Sequence, residues 1–122
     1  MLELRKVFHN EALDFCDKLS LCVDRFRLDH AGKRKDAFDE AFRCAHNLKG
    51  AAGTVERHRV AELAHALEDA FEPYRTGGMI PSEQYDDTIL QSITTLERLI
   101  EERATQEEIT QAFAHLHSIE LH

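Results

Sequence analysis

Apolar residues recur along this chain in steps of three and four, the spacing of one face of a helix, and nowhere in convincing alternation. Residues 3–28 carry the first stripe, at Leu4, Val7, Phe8, Phe15, Leu19, Cys22, Val23 and Phe26, which predicts one long amphipathic helix. Residues 29–32 break it, with Gly32 expected as its C-terminal stop. A second helix is expected from 33 to 50 or slightly beyond, on Ala37, Phe38, Ala41, Phe42, Ala45 and Leu48. The third spans about 56–72, with Val60, Leu63, Ala64, Leu67 and Phe71 inward. Pro73 lacks a backbone N–H and should end or kink it. After a loop at Thr76-Gly77-Gly78, Pro81-Ser82-Glu83 restarts a helix running to about 103 on Ile89, Ile93, Leu96, Leu99 and Ile100. A fifth covers about 106–121, using Ile109, Phe113, Leu116 and Ile119.

Consecutive amphipathic helices with short links pack as an antiparallel bundle. The expected fold is therefore all-α: an up-and-down four-helix bundle over about 3–103 with an additional C-terminal helix. That fifth helix is expected to pack along the outside or to continue toward a region this chain lacks. A length of 122 residues suits one domain, 1–122, built on one core.

Charge narrows the partners. Lys and Arg number 15 against 23 Asp and Glu, a net −8, so a nucleic-acid partner is not expected. A polybasic membrane patch is missing too, and no apolar run approaches the ~20 residues of a membrane span. Cys16, Cys22 and Cys44 sit at apolar helical positions without metal-site spacing, and read as buried reduced thiols. The first ten residues lack an apolar signal core. A cytoplasmic location is the expectation.

The second helix carries the candidate chemistry. Six of the eight histidines (His9, His30, His58, His115, His117 and His122) fall in loops, at ends or beside polar neighbours, and read as solvated surface. His46 lies roughly 100° from the middle of its helix's apolar stripe, at the edge of the core. Gly50 at i+4 and Gly53 at i+7 leave the same face bare, open to a bulky partner. Each glycine weakens a helix by roughly 1 kcal/mol relative to alanine, so something should need the space. Lys49, at i+3, can bring an ammonium to a phosphoryl group on the ring. On the third helix His65 and Glu68 share a face, and Glu68 can accept from the Nδ1–H of His46. That bond would leave the Nε2 lone pair outward as a nucleophile. Spacing alone leaves an ordinary core-edge histidine equally open.

The thirteen residues Phe42-Arg43-Cys44-Ala45-His46-Asn47-Leu48-Lys49-Gly50-Ala51-Ala52-Gly53-Thr54 resemble the phosphorylation motif of histidine phosphotransfer domains. They look closest to the N-terminal phosphotransfer domain of CheA-type chemotaxis histidine kinases, which reads F-R-x-A-H-x-x-K-G-x-A-G-T there. Ala64-His65-Ala66-Leu67-Glu68 resembles that family's second block. The resemblance runs from the first helix to about residue 102. It implies that His46 is phosphorylated, that Glu68 is its hydrogen-bond partner, and that Lys49 and His65 complete the network. Glu56 departs from the family, which often has Gly there, and Pro73 is a second departure.

The implied role is a phosphoryl carrier in two-component signalling. His46 would accept from a histidine kinase catalytic domain and donate to a response-regulator receiver aspartate, as the first domain of a CheA-like kinase. A free-standing or hybrid-kinase phosphotransfer domain in a multistep relay keeps the same chemistry. The chain itself shows no phosphate cradle, so ATP and Mg²⁺ are expected on partner domains and no catalytic activity is expected of the chain alone. The stop at His122, inside a helical pattern, suits an excised N-terminal domain. Two other classes compete. A purely structural adaptor bundle is one. A di-iron bundle is the other, but it needs paired Glu-x-x-His motifs, and only Glu62-x-x-His65 is present, so no metal is expected.

Overall fold

The computed structural model describes residues 2–119, with side chains from residue 4 onward. Five helices follow one another: α1 (Leu2–Val23), α2 (Ala31–Thr54), α3 (His58–Phe71), α4 (Glu83–Ile100) and α5 (Gln106–Ile119). A 3-10 turn, Glu72–Tyr74, extends α3, and there is no strand among the described residues. The first four helices pack in a closed ring, α1 on α2, α2 on α3, α3 on α4 and α4 back on α1. The fifth lies in the groove between α3 and α4. The expected all-α bundle with an added C-terminal helix is what forms. Residues 120 and 121 of the expected fifth helix lie outside the described residues.

Burial follows the helical stripes. Ala37, Phe38, Ala41, Ala45 and Leu48 of α2 are fully buried, as are Val60, Leu63, Ala64, Leu67 and Phe71 of α3. In α1 the stripe is Phe8, Ala12, Cys16, Leu19, Cys22 and Val23. Ala12 was not in the expected set, whereas Leu4 and Val7 were and are exposed. At 100° per residue Val7 points away from its neighbour Phe8. Leu4 sits at the open end of the bundle, over a shallow hollow lined by Arg5, Thr54, Val55 and Glu56. The three cysteines are free and buried, and burial pushes the Cys22 thiol up to about 11.

One end of the bundle is aromatic. Phe26, in the turn after α1, stacks on Phe38 at 3.9 Å between centroids, and Phe38 stacks on Tyr74 at 5.2 Å. Phe71 packs against both phenylalanines. Tyr85 donates its hydroxyl to the Ala70 carbonyl at 2.6 Å. These residues come from the C-termini of α1 and α3 and the N-termini of α2 and α4, as antiparallel packing requires.

Two helix boundaries differ from expectation for local reasons. Gly32 does not stop α1; it lies in the first turn of α2, because His30 caps that helix, its Nδ1 accepting from the Lys33 N–H at 3.2 Å. Histidine is not among the usual capping residues, so the start was read two residues late. The second helix also runs straight through Gly50 and Gly53 to Thr54. Other signals held. Ser82 caps α4 by accepting from the Tyr85 N–H, and α3 ends at Phe71, just before Pro73.

Gly77 must be glycine. Its φ is +75°, and a Cβ there would come within 2.3 Å of the Ala31 carbonyl oxygen. This close approach lets Arg34 bridge the Gly77 and Leu28 carbonyls and pin the 75–82 loop to the start of α2. Between α2 and α3 the chain turns through Glu56 at φ +60°, a conformation that favours glycine. Glu56 is the position where the resembled family often has Gly.

Candidate functional site

His46 stands on the exposed face of α2, midway along the helix, with its neighbours Ala45 and Leu48 turned into the core. Its imidazole is 60% exposed. Facing it from α3 is Glu68, whose side chain is only 10% exposed. The two helices are packed closely enough along their length to put Nδ1 of His46 3.0 Å from Oε2 of Glu68. The other carboxylate oxygen, Oε1, accepts from Lys49 Nζ at 3.1 Å. Lys49 is 30% exposed.

The charge state of Glu68 decides the proton on His46. Burial pushes the carboxyl up, but the hydrogen bonds from Lys49 and His46 and their charges outweigh it and hold Glu68 below its ordinary range. An ionised carboxylate has no proton to give. The bond therefore requires the proton on Nδ1, and a neutral His46 is then the tautomer with its lone pair on Nε2. That nitrogen lies on the far side of the ring from Glu68. The site thus presents a tethered imidazole nucleophile with a cation close by.

Among the described residues, none crowds the approach along α2 at its two glycines. A Cβ built on Gly50 or Gly53 meets no atom within 4 Å. Internal packing therefore does not require either glycine, and the space they leave opens outward to solvent.

The structure brings His46, Lys49 and Glu68 together. It does not join His65 to them by a hydrogen bond. His65 is exposed, and its Nε2 lies 3.6 Å from Oδ1 of Asp69, its i+4 neighbour. Potential metal-ligating atoms of His65, Glu68 and Asp69 lie within 4.8 Å of one another, but both oxygens of Glu68 are already engaged by His46 and Lys49. Glu62, the acid of the single Glu-x-x-His motif, is exposed.

A feature absent from the sequence reading flanks the imidazole. Phe42, one turn before His46, holds its ring 7° from parallel to the imidazole, centroids 6.4 Å apart. The guanidinium of Arg75 lies 4.1 Å from the Phe42 ring centre. The i−4 spacing of Phe42 was a usable signal. Arg75 was not legible, because it reaches α2 only through the 3-10 turn after α3.

No helix among the described residues is long and apolar enough to cross a membrane. Comparison with known proteins places these features in a family. The chain is 33% identical over 102 residues to the "Chemotaxis protein CheA" of Treponema pallidum, covering 84% of this chain and 12% of that protein. It is 29% identical over 98 residues to the "Chemotaxis protein CheA" of Borreliella burgdorferi, 80% of this chain and 11% of the relative. The "Sensor histidine kinase CheAY" of Helicobacter pylori matches at 26% over 98 residues, 80% of the chain and 12% of the relative. The chain thus spans about an eighth of the length of these relatives. No solved structure matches it significantly. The Hpt domain model matches residues 3–99, nearly the whole four-helix ring and the His46 site, and the chain belongs to the Hpt domain family.

Proposed function

We propose that this domain is the phosphoryl carrier of a CheA-type chemotaxis kinase, with His46 as the phosphorylated residue. The observation that carries the reading is the tether from Glu68 to Nδ1 of a 60%-exposed imidazole. Nε2 attacks the γ-phosphorus of ATP held on a kinase catalytic domain, the bond to the bridging oxygen breaks, and ADP leaves. The new N–P bond is then broken by attack of a response-regulator aspartate, which takes the phosphoryl group and returns His46 to its neutral form. Mg²⁺ and ATP sit on the partner domains, which supply the metal and the nucleotide-binding contacts that phosphoryl transfer needs.

Each neighbour has a task. Glu68 fixes the tautomer and stabilises the imidazolium-like charge that builds on the ring as the N–P bond forms. Lys49 keeps Glu68 ionised and offers a cation to the incoming phosphoryl oxygens. Gly50 and Gly53 clear the approach for the partner's active site. His65 sits at the rim of the site, one turn from Glu68. The kinase and chemotaxis context comes from the names of the relatives, and a cytoplasmic location follows from that context.

The test is direct. The domain is incubated with a CheA-type catalytic core and labelled ATP, in parallel with His46→Gln. Acid-labile, alkali-stable label on the wild type alone is expected. Equal label on both proteins sinks the assignment of His46.

A further inference from the structure

The Glu68 tether holds one atom of the His46 ring and no more. An imidazole on two side-chain torsions can still rock about the line from Nδ1 to Oε2, which swings Nε2 sideways. In-line transfer tolerates little such motion, since a displacement of about 1 Å can cost ~100-fold. Something should hold the plane.

Asp39, Phe42 and His46 are spaced by three and four along α2 and form one ridge. Phe42 lies nearly parallel to the imidazole. Arg75 covers the Phe42 ring at 4.1 Å, a cation–π stack. Two carboxylates fix the guanidinium: its Nε donates to Oδ1 of Asp39 at 3.1 Å and its Nη1 to Oε2 of Glu72 at 3.1 Å. The hydrogen bond from Lys35, then that from Arg75, hold the Asp39 carboxyl below its ordinary range against the opposing effect of burial, so the clamp stays charged near neutral pH. The backbone of Arg75 is anchored as well, since the preceding Tyr74 stacks on Phe38 in the aromatic end of the core.

We propose that Arg75 is a positioning residue for phosphoryl transfer: clamped by Asp39 and Glu72, it holds Phe42 as a wall that sets the plane of the His46 imidazole. The proposal rests on His46 being the phosphorylated residue. It makes orientation of Nε2 a two-point device, Glu68 at one nitrogen and Phe42 along the flank. Arg75, directly after the 3-10 turn that extends α3, holds that second point in place.

Arg75 is partly exposed, so its variants should fold, and circular dichroism checks this. With a CheA-type catalytic core at saturation, Arg75→Ala is expected to slow labelling about 5- to 10-fold while KM for the core stays within about twofold. Phe42→Leu is expected to do the same, and adding Arg75→Ala to it should cost nothing further. Arg75→Lys keeps the charge but loses the planar stack, and should not restore the rate. Nuclear relaxation of the His46 ring carbons in the free domain should show increased ring motion in Arg75→Ala. Wild-type labelling rates with unchanged ring relaxation would overturn the proposal. So would full rescue by lysine, or an undiminished loss in the Phe42→Leu background, since either makes Arg75 a direct contact for the partner. If the wild type takes no label at all, the carrier reading fails and the proposal falls with it, an outcome distinct from a labelled wild type with an unaffected Arg75→Ala.

Discussion

Replacing Glu68 with alanine separates orientation from stability. The change removes the shared acceptor of two hydrogen bonds, from His46 at 3.0 Å and from Lys49 at 3.1 Å. The stability cost should be small. His46 is 60% and Lys49 30% exposed, so both rehydrate, and the desolvation of the Glu68 carboxylate disappears with it. A loss of about 1 kcal/mol is expected. The kinetic cost should be larger. A hydrogen bond to a charged group contributes about 1.5–3 kcal/mol, which here favours the Nδ1–H tautomer and strengthens as the ring gains charge. At 1.36 kcal/mol per decade, labelling by a CheA-type catalytic core should slow by about 10- to 100-fold. The pH dependence carries a second signature. The Glu68 carboxyl is depressed in the folded state, so its contribution is complete above the ordinary value of 4.5 and fades as pH falls through the folded value. Urea denaturation should therefore show wild type and variant converging in acid. Labelling at the wild-type rate, or a stability gap that widens in acid, would refute the reasoning.

Three other substitutions test the frame. Glu56→Gly relieves the left-handed backbone at φ +60°, worth about 1–2 kcal/mol, against a loss of up to about 1 kcal/mol from the freer unfolded chain, so thermal melting should rise by a few degrees or stay level; a clear drop would contradict the turn. Gly50→Ala should add about 0.5–1 kcal/mol to folding, since its Cβ meets open space, yet slow transfer to a receiver domain if that space admits the partner; chemical denaturation and transfer kinetics measure the two arms, and a destabilised variant would contradict the open face. Burial raises the Asp86 carboxyl from 3.8 to about 6, so this group costs stability as pH rises through that window and costs it fully above it. Asp86→Asn should gain on wild type by about 1–3 kcal/mol between pH 4 and pH 7 in denaturation experiments; a constant difference would show that Asp86 is not strained.

The sequence made the bundle legible because its core is periodic. Phe38, Ala41, Ala45 and Leu48, or Ile89, Ile93 and Leu96, can face one way only on a helix, and all are buried. The same rule put His46 at the core edge, and the i+4 glycine suggested an open approach. What it could not carry was anything decided between elements. Leu4 obeys the period but lies over the open end of the bundle. Gly32 looked like a stop because the cap of α2 is a histidine. Gly50 and Gly53 were expected to weaken the end of α2, yet the helix runs through both to Thr54, with Ala52 between them buried against the core. His65 shares a helical face with Glu68, but a shared face does not specify a bond, and its ring turns to Asp69. Arg75 lies 29 positions beyond His46 and meets Phe42 only because Pro73 and the aromatic end of the core bend the chain back over α2.

The central claim is that Glu68 holds the Nδ1 proton and leaves Nε2 of His46 to react. Its most direct test is the isomer of phosphohistidine formed on the domain. Phosphorylated protein, labelled with nitrogen-15 at histidine, is examined by nitrogen and phosphorus magnetic resonance for the ring atom bonded to phosphorus. The account predicts phosphorus on Nε2 of His46, with Nδ1 still protonated and bonded to Glu68. Phosphorus on Nδ1, or on any histidine other than His46, would contradict it.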